Sequence, residues 1–288
     1  MKLSILIVNW NTRDLVVACV NSILKNEPVF SYEVIIVDNR SDDGSADAFK
    51  MQFGSDNRIK VIAAEKNLGF AAGNNLAYRN STGEFILLLN PDTEVREGAL
   101  RKMVEFVERN PQIGILGPKI INPDGSVQPS VRGLPDVWSS LVVFSGLHRF
   151  LRPRHYLMDD FDYNQMSEVP QVMGAALLTR REVIEKAGGL FDEQFFLWYE
   201  EVDFCRRSAA VGFKVVYFPE AQVVHRQAQS FSQMSVFARK KAAADSLRYY
   251  FQKNGSAGEV ILINLVLPVV LFFAKMFDLL EVKSKIHV

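Results

Sequence analysis

The sequence predicts an α/β protein with a Rossmann-like, mostly parallel sheet, helices on both faces of that sheet and further helices at the C-terminus. Short apolar runs alternate with helix-like segments over the first 110 residues. Such an alternation is typical of βαβ units joined by right-handed crossovers. Polar residues, carboxylates among them, directly follow several of the apolar runs. The 288 residues suffice for one large domain with a substantial core.

Four apolar runs predict the strands of the first half of the chain, and the run at residues 85–89 has the composition of a strand buried on both faces. They cover residues 3–8, 32–37, 59–63 and 85–89. Helix-like segments separate or follow them, the first capped by Asn11 or Thr12. These segments are residues 12–25, a short helix that opens at 41–45, and residues 68–78 and 98–109.

The second half is less regular. We expect a strand at residues 113–121, a turn at 122–125 and a returning strand at 126–131, which together would form a hairpin. Residues 132–168 form an irregular segment rich in aromatic residues and arginine, which predicts a functional lid. A strand at 172–179 and a helix at 180–187 follow, and Gly188 and Gly189 end that helix.

Asp92 lies just beyond the strand predicted at residues 85–89, because Pro91 cannot continue a strand ladder. Ligands of open α/β sheets bind at the carboxyl ends of the strands. A carboxylate there can hold a divalent cation against a phosphorylated substrate. The alternative is an aspartate in a surface turn.

A second acidic group, Glu200, Glu201 and Asp203, lies between a run of bulky apolar residues and a helix-like segment. Burial beside aromatic side chains raises the pKa of a carboxyl group and suits it to act as a general base. The alternative is a set of acids in the first turn of a helix, where they complement the helix dipole. His225 ends another apolar run and is either a metal ligand or a structural histidine. The polar residues 226–230 after it could meet a phosphate.

Composition excludes several classes of protein. The net charge is zero, which argues against a nucleic-acid partner. Cys19 and Cys205 are the only cysteines, and this favours a reducing cytosol. Residues 9–12 replace the glycine fingerprint of dinucleotide-binding proteins, so a dehydrogenase is disfavoured. The apolar N-terminus is interpreted as a first strand and not as a signal peptide.

The C-terminal tail combines an apolar run at residues 260–274 with an excess of basic residues. From Ser232 onward there are eight basic and four acidic residues. Apolar side chains beside basic ones suit an anionic membrane surface, and the run is shorter than the roughly 20 residues needed to span a bilayer. The alternatives are a buried C-terminal helix and a dimer contact.

Six segments resemble, in their order along the chain, motifs of glycosyltransferase family 2, whose members have the GT-A fold. Together they extend from the first strand to Ser230, and they are most similar to the rhamnosyltransferase-like branch of bacterial polysaccharide assembly. Two positions depart from the family pattern: Asn90 replaces the first aspartate of D-x-D, and Glu201 replaces the more usual aspartate. The segments are residues 4–11, 37–45, 67–75, 89–92, 195–207 and 225–230.

The resemblance implies roles for individual residues. Asp38 would bind the base or ribose of a nucleotide-sugar, and Asp92 and His225 would coordinate Mg²⁺ or Mn²⁺ on its diphosphate. Glu201 falls on the catalytic carboxylate of the family. The other residues implied are Asn9, Asn11, Asn67, Gly73 and Asn74 in the nucleotide-sugar site, and Trp198, Glu200 and Asp203 in the acceptor pocket.

The resemblance also implies an activity. The chain would be an inverting transferase that moves rhamnose or a similar hexose from a dTDP- or UDP-sugar to a hydroxyl of a saccharide acceptor carried on a polyprenyl lipid. It would lie in the cytoplasm at the inner face of the cell membrane, with a homodimer as one arrangement. A non-catalytic nucleotide-sugar or membrane-interaction module with the same fold is the alternative.

The same resemblance implies a division of the chain. Residues 1–231 would form the GT-A domain, with a nucleotide-binding half at 1–110 and an acceptor-binding half at 111–231. The composition of residues 232–288, which lie beyond the resemblance, predicts a helical, membrane-associating tail.

Overall fold

The computed structural model describes residues 1–226 and 233–286, and side chains as far as Met276. Nine strands of the described residues form one sheet, and two short strands, β7 and β9, form a second. The strands are β1 (Leu3–Asn9), β2 (Tyr32–Asp38), β3 (Ile59–Ala63), β4 (Phe85–Leu89), β5 (Thr93–Val95), β6 (Ile113–Ile121), β7 (Val131–Arg132), β8 (Ser167–Glu168), β9 (Gln171–Val172), β10 (Ala176–Arg180) and β11 (Lys214–His225).

Helices cover both faces of the large sheet, and two long helices follow its last strand. Leu147–Arg149 adds one turn of 3-10 helix. The helices are α1 (Arg13–Lys25), α2 (Ser45–Phe53), α3 (Gly69–Arg79), α4 (Ala99–Arg109), α5 (Val137–Ser145), α6 (Arg154–Leu157), α7 (Arg181–Lys186), α8 (Glu200–Ala210), α9 (Val236–Asn254) and α10 (Ala257–Ile286).

The large sheet has the order β3-β2-β1-β4-β10-β6-β11-β5, and β8 pairs with β11. The pairs β2–β3, β1–β2, β1–β4 and β6–β11 are parallel. β10 runs antiparallel between β4 and β6. The predicted Rossmann-like, mostly parallel sheet is therefore confirmed. Since the sheet continues across residue 110, the division into two halves stays a prediction.

The inner strands are buried on both faces, as their continuous apolar sequences predict. In β4, Phe85, Leu87 and Leu89 belong to the core on one side of the sheet. Ile86 and Leu88 belong to the core on the other side. This double burial fixes the point at which β4 ends and therefore the position of Asp92.

Three predictions for the second half need correction. The hairpin at 126–131 is not formed among the described residues beyond a single bridge between Ile121 and Val127. Pro129 cannot donate to a strand ladder, which accounts for this result. The strand predicted at 172–179 is divided into β9 and β10. The segment 132–168 is not irregular throughout, since it contains α5, which begins where the Asp136 carboxylate accepts from the Ser139 N–H at 2.9 Å.

The last helix, α10, has two different faces. Ile263 and Leu267 are fully buried in the core and α10 packs on α5 and α9. The segment Ala257–Met276 is long and apolar enough to cross a membrane by length and composition alone, with a mean hydropathy of 2.3. Seven of the described apolar side chains of α10 face solvent and form what we call the exposed apolar face of α10: Ile261, Leu262, Leu265, Val269, Phe272, Phe273 and Met276.

Candidate functional site

Two cavities of similar size meet at the carboxyl end of the sheet. The sheet-edge cavity has a volume of about 580 Å³ and lies beyond the ends of β1 and β4. The helical cavity, of about 590 Å³, lies between α5, α8 and α9. Residues that line both cavities are Pro129, Arg132, Met173, Trp198 and Glu201.

Asp92 and His225 line the sheet-edge cavity together, although they lie far apart in the sequence. The pairing of β5 with the end of β11 brings them into contact. Asp92 Oδ1 lies 3.3 Å from His225 Nε2, and both side chains are buried. His225 Nδ1 lies 2.8 Å from Gln128 Oε1, to which it donates a hydrogen bond in the tautomer that leaves Nε2 unprotonated.

This pair fits a divalent cation. In that tautomer the Nε2 lone pair and the Asp92 carboxylate face each other, and a cation between them would remove the repulsion. Two ligands about 2.1 Å from one Mg²⁺ and at right angles lie about 3.0 Å apart, close to the distance found here. The Oδ1 atom of Asn90 is buried without a described hydrogen-bond partner in the same cavity.

Asp92 and His225 would supply only part of a coordination shell. Among the described residues, no cluster of three or more His, Cys, Asp or Glu side chains could hold a metal ion. Mg²⁺ keeps waters and takes substrate phosphate oxygens as ligands. The arrangement is thus suited to a cation that arrives with a phosphorylated ligand.

Glu200 and Glu201 begin α8 and also line the sheet-edge cavity. Burial raises the pKa of Glu200 well above its ordinary value, and the charge of Glu201 raises it further. Burial also raises the pKa of Glu201, partly offset by backbone N–H groups that include that of Gly174. The Oε2 atoms of Glu200 and Glu201 have no hydrogen-bond partner among the described residues. Glu201 Oε2 is therefore a buried acceptor atom whose hydrogen-bonding capacity is not used by the described residues.

Trp198 and Tyr199 direct α8 into the cavities. Both have left-handed backbones, with φ of 66° and 71°. Two successive non-glycine residues in this conformation are strained, and such strain is found where a site needs a particular geometry. Here it aims the first turn of α8, and with it Glu201, at the boundary of the two cavities.

Several predicted nucleotide-site residues support the walls of the sheet-edge cavity and are not among its described lining residues. The Asp38 carboxylate accepts from Asn9 Nδ2 at 2.7 Å and from the Ser41 N–H at 3.2 Å. Asn11 Oδ1 accepts from the Asp42 N–H at 2.8 Å. These bonds join the loops after β1 and β2, so direct contact of Asp38 with a nucleotide stays a prediction.

The predicted segment at residues 67–75 has a mixed outcome. Asn67 lines the sheet-edge cavity and accepts from Asn39 Nδ2 at 3.0 Å. Asn74 is buried and donates to the Phe70 carbonyl at 2.9 Å. A Cβ atom at Gly73 would lie 2.8 Å from the Val8 side chain, so glycine permits close packing of α3 on β1.

Asp203 is not among the described residues that line either cavity. Its buried carboxylate pairs with Arg207 at 2.7 Å and with Lys253 at 3.0 Å. Asp203 therefore belongs to the buried contact between α8 and α9. Trp198 and Glu200 line the sheet-edge cavity, and their contact with an acceptor stays a prediction. The polar residues 227–230 of the sixth motif lie outside the described residues.

Sequence reasoning missed four residues of the sheet-edge cavity: Trp10, Asn39, Gln128 and Arg132. Trp10 and Asn39 belong to motifs that were recognised, so their position after β1 and β2 is a signal that could have identified them. Gln128 belongs to the segment that was expected to form a hairpin, and Arg132 begins the segment that was expected to be irregular. No local pattern marks them, because their role depends on contacts with β11 and α8.

Comparison with known proteins identifies the family. The family model for glycosyl transferase family 2 matches residues 4–188. The chain is 30% identical over 215 residues to an N-acetylglucosaminyl-diphospho-decaprenol L-rhamnosyltransferase of Mycobacterium tuberculosis, an alignment that covers 68% of this chain and 67% of that enzyme. It is also 30% identical over 232 residues to the O-antigen biosynthesis protein RfbC of Myxococcus xanthus, covering 80% of this chain but only 18% of that protein. The predicted resemblance to the rhamnosyltransferase-like branch is confirmed.

The fold is shared with solved glycosyltransferases. The mannosyltransferase PcManGT of Pyrobaculum calidifontis, solved in complex with GDP-Man and Mn²⁺, superposes with a TM-score of 0.61 at 16% identity, covering 98% of this chain and 75% of that chain. At this identity the likeness concerns the fold alone, and it agrees with the sheet order described above. The chain is therefore a member of glycosyltransferase family 2 with the GT-A fold.

Proposed function

We propose that this enzyme is a divalent-metal-dependent, inverting hexosyltransferase. It would move rhamnose or a similar hexose from a dTDP- or UDP-sugar to a hydroxyl of a saccharide acceptor, carried on a polyprenyl lipid. One observation carries the proposal: Glu201 lines both cavities, whereas Asp92 and His225 line the sheet-edge cavity. A base at this boundary can reach a hydroxyl in one cavity and a donor in the other.

In the proposed reaction the donor lies in the sheet-edge cavity, with its diphosphate at Asp92 and His225. Glu201 accepts the proton of the acceptor hydroxyl while that oxygen bonds to the anomeric carbon. The bond from the anomeric carbon to the diphosphate breaks, and the nucleoside diphosphate leaves with the electron pair. Asp92 and His225 would hold a divalent cation, which when bound would supply Lewis-acid stabilisation of the leaving group.

Two similar proteins support the choice of ligands. The mycobacterial relative is named for rhamnosyl transfer and for a diphospho-decaprenol. The mannosyltransferase of the same fold was solved with a nucleotide-sugar and Mn²⁺. The raised pKa of Glu201 supports its role as the base, since a proton acceptor works best with a pKa close to the working pH.

The test is release of the nucleoside diphosphate from a panel of dTDP- and UDP-hexoses, with and without a saccharide–diphosphate–lipid acceptor. We expect release to require both the acceptor and Mn²⁺ or Mg²⁺, and EDTA to abolish it. Tight, metal-dependent binding of nucleotide-sugars without any release would contradict the proposal and favour the non-catalytic module.

We also propose that the exposed apolar face of α10 binds an anionic membrane surface, so that the enzyme lies at the inner face of the cell membrane. Leu265 and Phe272 are 67% and 61% exposed on this face. Apolar side chains beside basic residues gain both hydrophobic and electrostatic free energy at such a surface.

Flotation with phosphatidylglycerol vesicles tests this second proposal. Leu265→Ser combined with Phe272→Ser should abolish flotation. The control is Val29→Ser, which changes an apolar residue that is 91% exposed but lies outside α10, and it should not affect flotation. Unchanged flotation of the double variant would contradict it. A shift of the variant from dimer to monomer in light scattering, without any vesicle binding by either protein, would instead assign this face to a homodimer.

A further inference from the structure

The helical cavity differs from the sheet-edge cavity in its charge. Three cationic side chains, Arg132, Arg239 and Lys240, line it. Glu201 is the only carboxylate among its described lining residues. A half-enclosed cavity with such an excess of positive charge is suited to an anion.

Among the described side chains, the two cations on α9 have no acidic partner. Arg239 and Lys240 lie on one helical face with Val236 and Ala243, which also line the cavity. Among the residues whose side chains are described, no carboxylate forms an ion pair with Arg239 or Lys240. The neighbouring Lys241, in contrast, pairs with Asp245 at 2.6 Å.

Lys240 is held toward the cavity by neutral groups. Its ammonium donates to the Phe144 carbonyl at 2.7 Å and lies 5.0 Å from the centre of the Phe144 ring. Burial lowers the pKa of Lys240. An anion bound beside it would offset that desolvation and favour the charged ammonium.

The rest of the helical cavity is largely apolar, with side chains of Val143, Phe144 and Val236 in its wall. The helices that form this wall, α5 and α9, also pack against α10. The cavity thus lies beside the helix that carries the exposed apolar face. A ligand with an anionic group attached to an apolar chain would match both the cationic side chains of the cavity and the apolar surfaces beside them.

We propose that the helical cavity binds the diphosphate group of an acceptor that carries an apolar chain, through Arg239, Lys240 and Arg132 and without a metal ion. Arginine and lysine are the side chains that bind phosphate groups directly, arginine through two parallel hydrogen bonds. The assignment rests on the proposed function, because it puts the acceptor hydroxyl next to Glu201.

The test is binding of farnesyl diphosphate to the full chain in EDTA, measured by calorimetry. EDTA removes the cation that the sheet-edge cavity would need for a diphosphate. Arg239→Gln and Lys240→Gln should each weaken binding roughly tenfold or more, since hydrogen bonds to charged groups are among the strongest. Lys241→Gln, on the same helix but outside the cavity, should change the affinity by less than about twofold.

Two further ligands separate the parts of the proposed acceptor. Farnesol lacks the diphosphate and inorganic pyrophosphate lacks the chain, and both should bind at least roughly tenfold more weakly than farnesyl diphosphate. Equal affinity of farnesol, or an equal effect of Arg239→Gln, Lys240→Gln and Lys241→Gln, would overturn the diphosphate site. Equal affinity of inorganic pyrophosphate would overturn the lipid-linked acceptor and indicate a free phosphate ligand.

Binding of UDP with Mn²⁺ serves as the folding check, and it should be the same in all three variants. It also separates this inference from the proposed function. Farnesyl diphosphate binding that depends on Arg239 in a chain unable to transfer any sugar would contradict the transfer reaction alone. A chain that transfers sugar to a lipid diphosphate with unchanged KM in Arg239→Gln and Lys240→Gln would overturn the inference alone.

Discussion

The two cavities have almost the same volume and share Glu201, yet they are built differently. Strand ends and the loops after them form the sheet-edge cavity, with a carboxylate and an imidazole at Asp92 and His225. Helices form most of the helical cavity, which presents Arg239 and Lys240. Under the proposed function, a diphosphate would be bound in two ways: by a carboxylate through an intervening cation in the sheet-edge cavity, and by cationic side chains directly in the helical cavity.

The largest effect is expected at the residue that both cavities share. Glu201→Gln removes the proton acceptor and should lower kcat by ~10²–10⁴-fold, while the affinity for UDP with Mn²⁺ stays within about twofold. Steady-state kinetics and calorimetry would measure the two quantities. Glu201→Asp should restore part of the turnover, and Glu220→Gln, an exposed glutamate on β11, should have none of these effects. If Glu201→Gln kept a turnover close to that of the unaltered enzyme, the assignment of Glu201 as the base would be wrong.

Asp92→Asn should affect the sheet-edge cavity alone. The substitution removes an anionic metal ligand. Replacing a residue that only hydrogen-bonds to a metal ligand already lowers metal affinity by about 10–100-fold, so Mn²⁺-dependent UDP binding should weaken by at least that factor. Farnesyl diphosphate binding in EDTA should not change. Asp124→Asn, in an exposed turn, is the control. If Asp92→Asn weakened both ligands equally, the two cavities would have to be treated as one site.

Gln128→Ala should have a smaller effect on the same cavity. Without Gln128 Oε1, the His225 ring loses the hydrogen bond that fixes its tautomer and orientation. The affinity for Mn²⁺ with UDP should fall by roughly tenfold, the lower limit for groups that orient a metal ligand. Gln222→Ala changes an exposed residue of the same strand as His225 and should leave that affinity unaltered. An equal loss in both variants would assign the effect to β11 and not to the histidine.

The smallest expected effect concerns stability. The pKa of Glu200 is raised in the folded protein, so the unfolded chain releases this proton first as the pH rises above the ordinary value of 4.5. The folded state therefore loses stability as the pH rises from there through the raised pKa. Glu200→Gln should increase the free energy of unfolding at about pH 8 by roughly 1 kcal/mol and leave it unchanged at about pH 4. Urea denaturation at both pH values would measure this, and a lower stability of the variant at about pH 8 would contradict the assignment of a costly buried charge.

Sequence was most informative where one physical rule determined the result. The bounds of β4 and β6 agree with prediction because continuous apolar runs must be buried on both faces of an inner strand. The bounds of β3 also agree, although β3 lies at the edge of the sheet and is only partly buried. The contact of Asp92 with His225 follows from the same reasoning, since strand ends meet at one edge of the sheet.

The helical cavity could not be predicted in the same way. Arg239 and Lys240 belong to a basic stretch that, by composition, suits a membrane surface. Their position in a cavity depends on α5, which lies in the segment that was expected to be irregular. Contacts between distant segments decided the outcome, and local sequence patterns do not encode them.

Carboxylates within the recognised motifs show a related limit. Asp38 and Asp203 have the spacing of site residues, but their oxygens bind Asn9 and Ser41 in one case and Arg207 and Lys253 in the other. The spacing of a motif predicts the backbone position of a carboxylate. It does not predict which hydrogen-bond or ion-pair partner its oxygens will have, because that depends on the three-dimensional packing around it.

The chain contains three tryptophans, and the fold distributes them usefully. Trp10 lines the sheet-edge cavity, Trp198 lines both cavities, and Trp138 is 62% exposed on α5. Replacing two of the three indoles by phenylalanine would leave a single intrinsic fluorophore in a chosen place. Emission spectra and quenching of such single-tryptophan proteins would then follow donor, acceptor and bilayer separately, and stopped-flow records would give the order in which they are engaged.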